Sequence, residues 1–494
     1  MTVSIAAPAH APMDSAAVAL ASERERGAAR LQFLFEQQTR SFQDHPYPPL
    51  AERREWLTKL EQSIRSGIPE IQAALDSDFG HRCEEETLLA EVMGSLKAIS
   101  YARRRLKSWM KSRHRGVDAT FQPATARVMP QPLGVVGIMA PWNYPFGLVI
   151  KPLIAALAAG NRVMIKPSEL TPCVSRLLYD MLGGIFPESQ VCVVEGDEHV
   201  ARAFTALPFD HLLFTGSTST GKQVMAAAAL NLTPLTLELG GKSPAIIGED
   251  YDMDLAAKSI VTGKALNCGQ TCTAPDYVLV PAARLESFID SFSTTMRRMY
   301  PDPVGNPDYT CVINERHYDR LHGYVSEAAE LGARVVEVFP EKQSDRAARK
   351  LLPALVVDPP EASRVMHDEI FGPLLIVIPY LQLKDAMDFI NRRPRPLALY
   401  VFTNDRAAEE NIIRGTVSGG VTVNDTLLHY TQESLPFGGV GSSGFGAYHG
   451  ERGFKTFSHV KPIFRQSRIN FVDAVRAPYG TVSRWLLRKM IRMA

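Results

Sequence analysis

The segment GVVGIMAPWNYPFGLVIKPLIAALAAGNRVMIK, residues 134–166, decides how the chain is read. It opens with Val135, Val136, Ile138 and Met139, a short apolar run bounded by glycine and proline, which predicts a buried strand. Residues 146–159 read as a helix, and residues 162–166 as a second short apolar strand. Working outward, residues 171–185 read as a helix, 191–195 as a strand, 211–215 as a strand and 221–229 as a helix. Strands alternating with helices in this way predict a doubly wound parallel sheet.

The alternation resumes after Glu238, with strands expected at 244–247, 276–280, 334–338, 354–357 and 374–379 and helices at 255–264, 285–299 and 317–331. That is a second α/β unit. Upstream, Leu31, Leu34 and Phe35, then Leu57, Leu60 and Ile64, then Leu88, Val92 and Leu96 keep helical steps of three and four. Residues 120–132 alternate polar and apolar, as a hairpin or edge strand does. Pro394 and Pro396 break the pattern, and from about residue 419 the chain is rich in loops.

Composition narrows the function classes. A chain of 494 residues exceeds one ordinary core, and 45% hydrophobic with 22% charged residues is the balance of a folded globular protein. A net charge of +1 gives no reason to expect nucleic acid as a partner. The basic run at 103–115 reads as a solvated helix face. Six cysteines scattered without framework spacing are expected to be reduced thiols. Cys268 and Cys272 are the nearest approach to a metal pattern, and no His/Cys pair follows at ligand spacing, so no metal is expected. No apolar run approaches the ~18–20 residues that span a bilayer. Residues 1–27 are expected to be a mobile extension without the basic start and apolar centre of a signal peptide, and a cytoplasmic location follows.

Several short motifs carry chemistry. Gly269-Gln-Thr-Cys272 lies between a helical segment and the strand expected at 276. A lone cysteine is most often a small core residue, but Asn267, Gly269, Gln270 and Thr271 are poor core formers, which shifts the odds toward a ligand site at the sheet edge. Glu238, between two leucines and directly before Gly240 and Gly241, is either an exposed strand end or a carboxylate held at a site. Held in an apolar cleft its pKa rises, which suits a general base. Asn143, in Pro141-Trp-Asn-Tyr-Pro145, either closes an Asx-turn or offers its amide to an oxyanion. Gly216-Ser-Thr-Ser-Thr-Gly-Lys222 runs from strand into helix, where free N–H groups meet phosphate; Gln223 stands where a Walker loop needs Ser or Thr. Lys166 and Glu169, just past a strand, are either ordinary surface charges or a donor and acceptor for a ribose.

Together and in this order, Pro-Trp-Asn-Tyr-Pro, Ile-Lys-Pro-Ser-Glu, Phe-Thr-Gly-Ser-x3-Gly, Leu-Glu-Leu-Gly-Gly-Lys, Gly-Gln-x-Cys, Glu369-Ile-Phe-Gly-Pro373 and Pro436-Phe-Gly-Gly resemble the aldehyde dehydrogenase superfamily over about residues 30–465. The Thr-Leu-Glu-Leu context and Phe457-Ser-His-Val-Lys-Pro462 look like its class-three branch. Residues 420–429 and Ala447-Tyr-His-Gly450 are similar to the bacterial coniferyl aldehyde dehydrogenases within it. The resemblance implies oxidation of an aldehyde to its acid, with Cys272 as nucleophile, Asn143 and the Cys272 N–H holding the oxyanion, and Glu238 activating water. It implies NAD as cofactor, with NADP left open by Glu169. Glu369 would hold the nicotinamide ribose, Phe371 would pack near the ring, Lys166 and Glu169 would take the adenosine ribose, and Gly216, Ser217 and Gly221 would form the phosphate turn.

The family shape implies a cofactor domain (28–119 and 133–238), a catalytic domain (239–418) and a small strand extension (120–132 and 419–462) that builds a homodimer. The tail at 463–494 is basic, and with Trp485, Leu486, Met490 and Ile491 it reads as a short amphipathic helix. It is expected to dock on the subunit, with membrane-surface contact as the alternative. Trp142, Tyr144, Tyr430 and Phe437 suit an aromatic aldehyde such as coniferyl aldehyde; a medium- or long-chain aliphatic aldehyde is the competing substrate.

Overall fold

The computed structural model describes residues 15–493 and contains three sheets. The first is built around Val135–Met139, whose five residues are all buried. On one side lie Arg162–Lys166 and Val191–Val193; on the other lie His211–Gly216 and Leu235–Leu239, every pair parallel. Parallel sheets need both faces covered, which is why Val135–Met139 and Val191–Val193 are apolar without alternation. The two-residue strand Gly444–Phe445 closes the edge, antiparallel to Leu235–Leu239. The chain leaves Val135–Met139 in opposite directions along the sheet, so its carboxyl end is the switch point where a crevice opens.

The second sheet has seven strands, in the order Arg334–Glu337, Ala354–Val357, Leu374–Tyr380, Tyr277–Pro281, Pro244–Ile247, Ala398–Phe402 and Gly420–Val423. Ala398–Phe402 is fully buried and pairs with Pro244–Ile247, yet it was absent from the strands expected from sequence, because the prolines before it suggested a loop. The third sheet joins Arg113–Arg115, Thr125–Pro132 and Ser458–Arg465 in antiparallel register.

Two further expectations need correction. Residues 419–462 do not form one extension: Gly420–Val423 joins the seven-stranded sheet, Gly444–Phe445 the six-stranded one, and only Ser458–Arg465 the small sheet. Short glycine-rich strands carry no pattern that says which sheet they join. The mobile extension expected at 1–27 lies outside the described residues up to 14, and the helix Ser15–Asp44 begins inside its remainder, where alanines, glutamates and arginines favour helix. At the other end the basic tail does form the helix Thr481–Met493, where Ser483 donates to the Ala474 carbonyl and Trp485 and Ile491 stay exposed.

The helix Gly147–Ala159 is buried along its whole length and follows the turn that carries Asn143. It ends at Gly160, in the left-handed conformation at φ +96°, where a Cβ would come within 2.7 Å of the Arg53 guanidinium. Arg53, 1% exposed, donates to the Pro48, Ala158 and Ala159 carbonyls at 2.8, 3.1 and 2.6 Å, which supplies partners to the orphan carbonyls of the helix end. Arg53→Met leaves those carbonyls buried and unpaired. A loss of about 2–3 kcal/mol is expected, read as a lower urea midpoint at unchanged slope; an unshifted midpoint contradicts it.

Candidate active site

The parallel register places chemistry along one edge. Thr215 pairs with Glu238, Gly216 with Leu239, and Met139 with both Phe214 and Lys166. Asn143, Gly216, Glu238 and Lys166 therefore leave the sheet at the same, carboxyl, end.

Cys272 arrives from the second unit. Its loop contains three successive left-handed residues, Asn267, Cys268 and Gly269, at φ 53°, 54° and 72°. Such a run costs energy and persists only where the surroundings hold it. Gln270 supplies most of that hold: its amide donates to the Asn267 and Cys311 carbonyls and accepts from the Ile313 N–H, all within 3.0 Å. Asn267 is tied from outside by Glu86, which accepts its backbone N–H at 3.0 Å. Asn267 also donates to the Asn143 carbonyl at 3.0 Å, while Arg82 donates to the same carbonyl at 2.9 Å. Held by its main chain, Asn143 turns its side-chain amide toward the Cys272 loop, where it donates to the Gln270 carbonyl at 3.1 Å.

Cys272 and Glu238 share a cavity of about 220 Å³ with Asn143, Gly216, Ser217, Glu369 and Phe371. Glu238 is 3% exposed, and neither carboxylate oxygen has a hydrogen-bond partner. Burial alone pushes its pKa well above the ordinary carboxylate value. The Cys272 thiol is pushed up to about 12 by burial and then by the nearby charges of Glu369 and Glu238. At neutral pH the thiol therefore keeps its proton until a base takes it.

The loop with Glu369 and Phe371 is fastened by Lys242, which donates to the Val365 and Asp368 carbonyls and pairs with Asp276. Asp276 in turn accepts the Ile370 N–H at 2.8 Å. Glu369 lies over Gly240, so close that a Cβ there would sit 2.0 Å from its carboxylate. Burial, with help from Asp276, raises Glu369 to about 8. Phe371, at φ 50°, packs 5.3 Å from Trp142.

The remaining candidates sit beside this cavity. Lys166 is buried, donates to the Pro167 carbonyl and lies 3.7 Å from Glu169, whose side chain is half exposed. Ser217 caps the helix Thr218–Ala229 through the Thr220 N–H. Gly221 lets that helix press on its strand, since a Cβ would meet Leu239 at 2.6 Å. These features fit a dinucleotide: an open helix start, carboxylates at two places for ribose hydroxyls, and glycines where backbone must come close. Cys268, by contrast, is fully buried beside Tyr309 and belongs to the core.

Sequence reasoning missed His317 and Arg320, which line the cavity from the helix Glu315–Glu330. Their spacing of three on an amphipathic helix is too common to mark a site. Tyr448 lines it as well and had been noted only for its motif. Of the aromatic candidates, Trp142 and Phe437 reach the cavity, while Tyr144 bonds its hydroxyl to Thr271 at 2.7 Å.

Fold and site define a two-unit α/β enzyme whose cysteine and orphan carboxylate meet between its sheets. The chain belongs to the aldehyde dehydrogenase family, whose model matches residues 9–463. It is 50% identical to a probable coniferyl aldehyde dehydrogenase of Pseudomonas aeruginosa, over 96% of this chain and 98% of that one. The fold matches the substrate-bound state of Staphylococcus aureus AldH with a TM-score of 0.88 and 37% identity, covering 93% and 99% of the two chains. It also matches a Mycobacterium tuberculosis aldehyde dehydrogenase complexed with NAD+, with a TM-score of 0.80 and 27% identity over 92% of each. Among the described residues no helix is long and apolar enough to cross a membrane.

The loop geometry yields a direct test. Gly269 needs its positive φ, and a Cβ would lie 2.2 Å from the Gly372 carbonyl oxygen. Gly269→Ala should cost about 2 kcal/mol or more and, by pushing the two loops apart, depress turnover further than an equal loss of stability elsewhere. Thermal denaturation beside steady-state rates measures both, and wild-type values for either refute the fit.

Proposed function

We propose that the chain oxidises an aromatic aldehyde of the coniferyl type to its carboxylic acid with NAD, through a covalent adduct on Cys272. One observation carries the reading: a carboxylate with two unpartnered oxygens, Glu238, faces the same cavity as a thiol and an aimed amide. A buried carboxylate with no structural partner is costly to keep, and the cost is understandable if it moves protons.

The residues divide the work. As the Cys272 sulfur bonds to the aldehyde carbon, its proton passes to Glu238, ionised for this step. The oxygen of the tetrahedral adduct takes hydrogen bonds from the Asn143 amide and the Cys272 N–H. NAD, when bound, would supply the acceptor for the hydride whose loss turns this adduct into a thioester on Cys272. Glu238 then releases the thiol proton to solvent and takes a proton from water; the hydroxide oxygen bonds to the thioester carbon, and the sulfur leaves as thiolate, regaining a proton from Glu238 as the acid forms.

Glu369 would hold the nicotinamide ribose with Phe371 beside the ring. Lys166 and Glu169 would take the adenosine ribose, and Gly216, Ser217 and the start of the Thr218–Ala229 helix would take the phosphates, with Gly221 bringing that helix close to its strand. The half-exposed Glu169 disfavours a 2′-phosphate, so NAD is favoured over NADP.

The substrate class is supported by the Pseudomonas aeruginosa relative's name and by the rings of Trp142, Phe437 and Tyr448 around the cavity. A homodimer is supported by the small sheet, where Ser458–Arg465 leaves one edge unpaired and exposes Val460 and Phe464.

NADH formation should be at least about 10-fold more efficient with coniferyl aldehyde than with hexanal, about 1.4 kcal/mol of transition-state preference, and absent in Cys272→Ala. The reverse preference moves the chain to aliphatic substrates; NADH from Cys272→Ala removes the mechanism. Glu238→Gln should slow the first turnover of NADH as well as the steady-state rate, each by about 10²-fold or more. Because the raised pKa of Glu238 leaves it protonated in acid, hydrolysis in the wild type should fall as pH drops through that value. A pH profile unchanged in Glu238→Gln contradicts its role.

A further inference from the structure

The turn that carries Asn143 and the loop that carries Cys272 are both held from outside, by one short segment that the reaction above leaves without a task. That segment, residues 82–93, precedes the helix Gly94–Trp109. It contains the single helical turn Glu84–Glu86 and then a π-helix, Thr87–Met93. Three of its charged side chains, Arg82, Glu86 and Glu91, are buried. In a helix of 3.6 residues per turn, positions five apart point in widely different directions. The wider turn of a π-helix, which bonds residue i to i+5, brings them round to one side. Glu86 and Glu91 stand in that relation, and both reach the segments that carry the catalytic groups.

Arg82 and Glu91 meet the Asn143 turn at two points. Arg82 donates to the Asn143 carbonyl at 2.9 Å. Its guanidinium lies over two rings, 5.0 Å from the centre of Tyr144 and 4.6 Å from that of Phe79, which leaves it little freedom to move. Glu91 accepts the Gly147 N–H at 2.5 Å, at the start of the helix that follows the turn. The two side chains face each other at 3.3 Å, and neither has exposed surface. Yet Nη2 of Arg82 and Oε1 of Glu91, the atoms of that contact, have no hydrogen-bond partner. A buried pair bonded so loosely adds little stability over apolar groups, and fixing geometry is the better account of it. Glu86 extends the hold to the other loop, accepting the Asn267 N–H at 3.0 Å and the Thr310 hydroxyl at 2.7 Å.

We propose that Arg82 is a positioning residue: gripping the Asn143 main chain while Glu91 grips Gly147, it aims the Asn143 side-chain amide at the oxygen that becomes negative as Cys272 adds to a carbonyl. The inference rests on the oxyanion role given to Asn143 above and adds the part of the structure that fixes it.

The need it meets is geometric. An oxyanion donor works by standing in place before the charge develops. Asn143 lies outside any helix or strand, and its side-chain amide donates across to the Gln270 carbonyl at 3.1 Å. A side chain on such a turn keeps its aim only while its main chain is fixed. Arg82 and Asn267 supply that fixing, at 2.9 and 3.0 Å from the same carbonyl oxygen. Of the two, Arg82 alone belongs to neither catalytic loop.

The test uses p-nitrophenyl acetate with the full chain and no cofactor. The sulfur of Cys272 bonds to the acyl carbon, p-nitrophenolate leaves, and the thiol proton passes to Glu238. The oxyanion formed on the way is the kind that Asn143 would hold. The burst of p-nitrophenolate, with mass spectrometry of the Cys272 peptide, reads this step apart from hydride transfer and from aldehyde preference. The wild type, Arg82→Met, Asn143→Ala and the two changes together form a cycle. Asn143→Ala should slow the burst about 10²-fold. Arg82→Met, which loosens the amide without removing it, should slow it about 10-fold. In the Asn143→Ala background the same change should cost less than about twofold, because no amide is left to aim. A merely structural role would cost as much in one background as in the other. Arg82→Met with Glu91→Gln, which removes both charges and keeps an acceptor for Gly147, takes the place of Arg82→Met if the lone carboxylate prevents folding. Equal losses in the two backgrounds, or no loss in the folded variant, overturn the proposal and leave Asn143 its role. A wild-type burst in Asn143→Ala removes the oxyanion assignment and this inference with it. A wild type whose Cys272 is never acylated removes the nucleophile as well.

Discussion

Everything in the catalytic cleft follows from putting a carboxylate and a thiol into one desolvated space. Glu238 has no hydrogen-bond partner and Cys272 no nearby cation among the groups that most affect it. Burial moves both pKa values upward, toward the proton-bound forms. A stability-driven design would replace such a pair with well-packed apolar groups. On the proposed mechanism, the pair exchanges a proton as the sulfur forms its bond, and Glu238 serves again when water is activated. The surrounding fold has to hold these groups against their own tendency to find water or partners.

It does so by joining strained loops to each other and to buried charge. The left-handed run at 267–269 is braced by Gln270 on one side and by Glu86 and Asn143 on the other. Phe371, also left-handed, sits on a loop tied down by Lys242 and Asp276. The Asn143 carbonyl takes hydrogen bonds from Asn267 and from Arg82, and Arg82 is paired with the equally buried Glu91. One network thus fixes the Asn143 amide and the Cys272 loop together, and a disturbance in either is felt by the other.

The legibility of this arrangement in sequence was uneven for physical reasons. Parallel strands covered on both faces must be continuously apolar, so 135–139 and 162–166 were readable at once. Ala398–Phe402 is just as apolar but follows Pro394 and Pro396, and local chain-breaking signals masked a strand that the sheet requires. The glycine-rich stretch after 419 feeds three different sheets, because short strands acquire their partners from space and not from their own pattern. Arg82, Glu86 and Glu91 each look like an ordinary charge in a helical segment.

By itself, the sequence determined the alternating α/β plan, the family, and the candidates Cys272, Glu238, Asn143 and Glu369, because periodicity and short motifs are local properties that survive in one dimension. Tertiary structure alone decided that Glu238 has no partner, that Gly240 makes way for Glu369, and that Arg82 and Glu91 meet at the turn of Asn143. Those facts are desolvation and distance between segments far apart in the chain. Neither quantity exists until the sheets have packed.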